Sequence, residues 1–95
     1  MNKVYFNINN YVYVKLTSRG KMEYLKYLNS PLLYLAQEPK YNSFEETNLK
    51  PNKDGCYKFQ LWNLMHIFGE HMGVGFSNCF ETDIYFNKKD LKEQS

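Results

Sequence analysis

The sequence predicts an α+β domain, a small antiparallel sheet with two main helices packed on it. Three observations carry this. Apolar residues alternate with polar or tyrosine positions from Lys3 to Leu16 and again from Phe80 to Phe86. Between those stretches they recur at helical spacing twice, over about residues 18–29 and 58–72. A chain of 95 residues supports a single core, so residues 1–95 read as one domain.

The first alternating stretch carries Val4, Phe6, Ile8, Val12, Val14 and Leu16, interrupted at Asn9-Asn10. A two-residue Asn-Asn turn would send the two apolar halves to opposite faces. A three-residue loop from Asn9 to Tyr11 pairs Ile8 with Val12 and Phe6 with Val14, which keeps one apolar face; an uninterrupted strand keeps the same parity. The hairpin is the preferred reading. Thr17 follows as a helix cap, with Met22, Leu25 and Leu28 at helical spacing behind it. Ser30-Pro31 is either the stop of that helix or the start of a short second one through LLYLAQ. Residues 39–54 are polar, hold two prolines and run into the NKDG turn cluster at 52–55, the pattern of a loop. The last alternating stretch adds a C-terminal strand to the hairpin, and KKDLKEQS, residues 88–95, reads as a frayed tail.

The segment YKFQLWNLMHIFGEHMGVGF is the most informative part of the chain. Wound as a helix, Leu61, Leu64, Met65, Phe68 and Met72 form the stripe that should meet Val4, Phe6, Val12, Val14, Ile84 and Phe86. Phe59, Trp62, His66 and Gly69 fall on a second face, which a loop, a second subunit or a ligand must cover. Gly73 reads as the left-handed residue that ends the helix. The glycines of GEHMGVG follow a helix rather than open one, so a phosphate-cradling dinucleotide loop is excluded. His66 and His71 are five residues apart and cannot reach one metal from one helix face, so no metal site is expected. No nucleophile has an identifiable geometry with His66. A hydrolase using His66 and Glu70 as base and acid is the weakest reading, and no catalytic residue or cofactor is assigned.

Twelve Lys plus Arg against ten Asp plus Glu give a net charge of +2, too even to select a partner by bulk charge. The local cluster Lys15, Arg19, Lys21 and Lys26, with Tyr11, Tyr13, Tyr24 and Tyr27, could hold phosphates and stack bases. Nine tyrosines exceed what one small core absorbs, which points to an interaction surface or a homodimer interface; the composition of an AT-rich genome is the alternative. Cys56 and Cys79 form no Cys-x-x-Cys motif, and MNKVYFNI holds no long apolar stretch, which predicts a cytoplasmic protein with both thiols as small buried hydrophobes. No apolar run approaches the roughly 20 residues that span a bilayer.

VKLTSRGK, residues 14–21, resembles the strand and final helix of many winged-helix DNA-binding domains, although here no helix pair precedes it. Together with DGCYKFQLWNLMHIFGEHMGVG and FETDIYF, it also resembles a group of small proteins encoded by bacteriophages and prophages. The match covers residues 12–21 and 54–86, with Gln60, Trp62 and Gly69 as motif positions. The resemblance implies a non-enzymatic phage accessory protein acting in the cytoplasm of the bacterial host, where such proteins inhibit a defence system by binding a host protein or sequestering an anionic signalling nucleotide. The expected contact region is Tyr13, Arg19, Lys21, Trp62 and His66, on a homodimer. The alternative is a nucleic-acid-binding module using the basic first helix.

Overall fold

Asparagine 7 sets the first turn of the chain: its side-chain oxygen accepts the Asn9 amide at 2.8 Å and its carbonyl accepts the Asn10 amide at 2.9 Å. A computed structural model describes residues 3–33, 41–72 and 78–94. In chain order these form β1 (Lys3–Tyr5), β2 (Tyr11–Val14), α1 (Ser18–Leu33), a 3₁₀ turn at Phe44–Thr47, β3 (Tyr57–Gln60) and α2 (Leu61–Phe68). A 3₁₀ turn at Gly69–His71 follows directly, then β4 (Tyr85–Phe86), a turn at Lys88–Asp90 and β5 (Lys92–Gln94). Among the described residues, five antiparallel strands in two small sheets and two helices make the α+β fold the sequence predicts.

The larger sheet has the order β3-β2-β4, and β1 pairs only with β5. In the larger sheet Val12 sits opposite Phe59 and Val14 opposite Tyr57, and all four are buried. They face Leu64, Ile67 and Phe68 of α2, with the Phe59 and Phe68 rings edge to face at 5.7 Å. Cys79 and Phe80 close the core from the other end, the Phe80 ring 6.0 Å from that of Phe68. Phe68 is fully buried, and removing a ring at such a position costs about 3–5 kcal/mol, a large share of a small domain's stability. Among the described residues no buried side-chain nitrogen or oxygen lacks a hydrogen-bond partner.

Thr17 caps α1 as expected. Its hydroxyl oxygen accepts the Gly20 amide at 3.1 Å, while the hydroxyl donates to the Asn78 carbonyl at 2.6 Å. The Thr17 amide donates to the Cys79 carbonyl at 3.0 Å, so one residue ties the helix start to the segment at Asn78 and Cys79. The helix then passes through Ser30-Pro31 to Leu33, which neither sequence reading foresaw. Proline at 31 cannot donate to the Tyr27 carbonyl four residues back; the Ser30 hydroxyl donates to that carbonyl instead, at 3.0 Å. The LLYLAQ helix falls largely outside the described residues, as does Gly73. Asn29 is buried and joins α1 to the following loop, donating to the Tyr41 carbonyl at 2.9 Å and accepting the Tyr41 amide at 3.0 Å.

Several expectations are corrected. The N-terminal hairpin does not form: β1 leaves the turn at residues 7–10 and pairs with β5, while both edges of β2 are taken by β3 and β4. The expected frayed tail therefore supplies a strand, with Lys3 opposite Gln94 and Tyr5 opposite Lys92. The second helix begins at Leu61, not near 58, because Tyr57 and Phe59 alternate inward against β2 while Lys58 stays in solvent. Phe59 is consequently a core residue of the sheet and shares no helix face with Trp62. The core stripe of α2 is also turned toward Ile67, which leaves Met65 63% exposed. Val4 and Phe86 stay more than two fifths exposed. The strand expected from Phe80 to Phe86 is reduced to the short pair Tyr85–Phe86 and an isolated bridge between Leu16 and Phe80.

Candidate functional site

The start of α2 is held by the first turn of the chain. The Leu61 amide donates to the Asn10 carbonyl at 3.0 Å and the Trp62 amide to the Ile8 carbonyl at 3.1 Å, satisfying two of the free donors of the helix. The Gln60 side chain adds a third bond, to the Asn9 carbonyl at 2.9 Å. This motif position thus has a structural explanation. With Leu64, Ile67 and Phe68 turned inward, Trp62, Met65, His66 and Gly69 form the outer face of α2. Trp62 is 43% exposed, and its ring lies 6.4 Å from that of His66. The Tyr27 ring, from α1, stands edge-on to His66 at 5.7 Å.

Below this face α1 and α2 bound a cleft of about 490 Å³, lined by Glu23, Lys26 and Tyr27 on one side and His66, Glu70 and His71 on the other. Glu23 is buried, and its carboxylate faces two partners at unequal distances. His71 Nε2 lies 3.0 Å from Glu23 Oε2, and Lys26 Nζ lies 3.5 Å from Oε1. Glu70 is 3.5 Å from His71 Nε2 and almost fully in solvent, a contact worth little. Glu70 thus faces His71 rather than His66. The Ser30 hydroxyl in the same cleft is committed to the Tyr27 carbonyl. What the cleft offers is one buried carboxylate with its imidazole partner, an arrangement that fixes α1 against the end of α2.

The five residues expected to form one contact region lie in separate places. Trp62 and His66 share the outer face of α2. Tyr13 lines a second cleft on the far side of the sheet, with Lys15, Asp54 and Tyr85. Arg19 lines an open depression at the start of α1, beside Thr17 and Glu81. Lys21 lies over the Phe44 ring at 5.5 Å and serves the packing of the loop on α1. Sequence reasoning missed Glu23 and His71 as partners. The signal available was a carboxylate three residues after Gly20 on the buried side of α1, where an apolar residue is the norm.

Both cysteines are buried and free, as expected. Burial pushes the Cys79 thiol above its ordinary range; Arg19 opposes this and Glu23 adds to it. Among the described residues no group of three or more His, Cys, Asp or Glu is placed to hold a metal ion. None of their helices is long and apolar enough to cross a membrane. Comparison with known proteins finds no matching family model, no matching curated protein and no matching solved structure.

Proposed function

We propose that this chain is a non-enzymatic bacteriophage accessory protein that inhibits a bacterial defence component by covering part of its surface with the outer face of α2. One observation carries the reading. From Leu61 to Gly69 the chain holds no Asp, Glu, Lys or Arg, and Trp62, Met65 and His66 are exposed in a row. A helix apolar on both faces needs cover on both. A central indole beside an adaptable thioether is the composition of an interface anchor. The resemblance of FQLWNLMHIFG to phage-encoded proteins gives the partner its class, a protein of the bacterial host cytoplasm.

The test compares the intact chain with Trp62→Asp. The intact chain, expressed in a bacterium that restricts a phage, raises plating of that phage and retains one defence protein on an affinity column. The substituted chain loses both effects while its melting temperature stays within a few degrees. Plating raised equally by both chains overturns the reading. Sedimentation velocity decides whether a homodimer uses the same face, since Trp62→Asp would then turn a dimer into a monomer.

The nucleic-acid reading through the basic first helix has less support. Lys21 is engaged by Phe44 and Lys26 by the buried Glu23, which leaves fewer cations to neutralise phosphates.

A further inference from the structure

Among the described residues, the larger sheet has its helical layer on one side. Val12, Val14, Tyr57 and Phe59 point into the core, so the alternation of the strands places Tyr11, Tyr13 and Lys58 on the other face. The register sets Lys58, Tyr13 and Tyr85 side by side in one row across β3, β2 and β4. Tyr85 is 45% exposed and Tyr13 half-buried. Phe86 has its ring committed to Phe6 at 4.9 Å, and Lys58 lies over Tyr11 at 4.2 Å. The Tyr13 and Tyr85 rings have no ring or hydrogen-bond partner among the described residues.

Beside these two rings opens a cleft of about 460 Å³, within the range of small-ligand sites. Its wall is a tight turn built around Asn52, whose side-chain oxygen accepts the amides of Asp54 and Cys56, both at 2.9 Å. Gly55, at φ 82°, lets the chain reverse there. The turn fixes Asp54 at the cleft, and Lys15 lines the same space with no ion-pair partner among the described residues. Two tyrosines without ring partners, an aspartate and a lysine thus line one cleft.

We propose that this cleft binds a nucleoside phosphate, with guanine as the preferred base. Tyr13 and Tyr85 supply the stacking surface, which any base can use. Asp54 supplies the selection: a carboxylate accepts the ring N–H and amino donors on the pairing edge of guanine, and adenine presents an acceptor at the corresponding ring nitrogen. Lys15 meets the phosphate. The site lies across the sheet from the outer face of α2, so it is separate from the protein-binding surface and stands or falls by itself.

Titration of the full chain with guanosine monophosphate, adenosine monophosphate and a guanine trinucleotide, followed by amide NMR shifts, tests it. The expected result is saturable binding with shifts centred on Tyr13, Lys15, Asp54 and Tyr85, tighter for guanosine than for adenosine monophosphate. Tyr85→Ala should weaken binding at least about fivefold. Asp54→Asn, on an exposed turn, should remove the guanine preference with the fold intact. A tighter trinucleotide assigns the ligand to a single strand, and equal affinity assigns it to free nucleotide; both support the site. Failure to saturate at millimolar guanosine monophosphate, a preference for adenosine monophosphate, or binding unchanged by Tyr85→Ala overturns it.

Discussion

Replacing Gly20 by Ala tests the junction between α1 and the Cys79 backbone packed against it. By intrinsic preference the change should help, since alanine is favoured over glycine inside a helix by about 0.5–1 kcal/mol. The structure reverses the sign. A methyl group at Gly20 would run into the Cys79 carbonyl, with its carbon at 2.8 Å and the Cys79 Cα at 3.2 Å, and backbone cannot swing aside as a long side chain can. Moving residues 78–80 away would strain the Thr17 amide bond to Cys79 and the Thr17 hydroxyl bond to Asn78. Overpacking of this kind costs about 1–3 kcal/mol, and each weakened hydrogen bond adds up to about 1 kcal/mol, so the net destabilisation is about 2–4 kcal/mol. Urea unfolding followed by circular dichroism reads this as a lower midpoint at unchanged slope. Gly69→Ala is the control: Gly69 has helical angles (φ −55°, ψ −44°) and open space around it, so alanine there should stabilise by up to about 1 kcal/mol. Two substitutions of identical chemistry should thus move the midpoint in opposite directions. If both raise it, the close approach of α1 to Cys79 is wrong.

Two further outcomes follow from buried groups. Asn29→Ala removes both bonds to Tyr41; it should cost about 1–3 kcal/mol and speed hydrogen exchange at Tyr41 and through Phe44–Thr47. Burial raises Cys79 and, reinforced by Tyr41 and Tyr27, also raises Tyr24. The unfolded chain therefore loses these protons first. Stability should be intact below the ordinary thiol and phenol ranges, about 8.5 and 10, and should fall as pH rises through them toward the folded values. Thermal melts from pH 7 to 11 check the sign, and a midpoint that rises over that interval contradicts it.

Periodicity made Thr17, Val12, Val14, Leu64 and Phe68 legible from sequence, because capping and burial at each depend on neighbours within one turn or one strand. The same signal misplaced residues 57–60. Tyr57 and Phe59 fit a strand and a helix face alike over so short a run, and β2 decided between them. Of the expected contact residues, Trp62 and His66 were placed together on a free face by their spacing in α2. Tyr13, Arg19 and Lys21 were joined to them only by charge and composition, which carry no distance information. Glu23 and His71 are 48 positions apart, and nothing local to either announced the other.

The amino-acid order alone determined the fold class, the cap of the first helix and the apolar residues that must be covered, since each follows from backbone chemistry and from the cost of leaving apolar surface in water. Only the tertiary structure decided which strands pair, because an antiparallel edge accepts any strand with the right alternation. Burial of Val12 and Val14 with Tyr57 and Phe59 beneath α2 accompanies the pairing of β2 with β3, while β4 takes its other edge and β1 pairs with β5. That choice exposes the tyrosine row on one side of the sheet and the Trp62 face on the other.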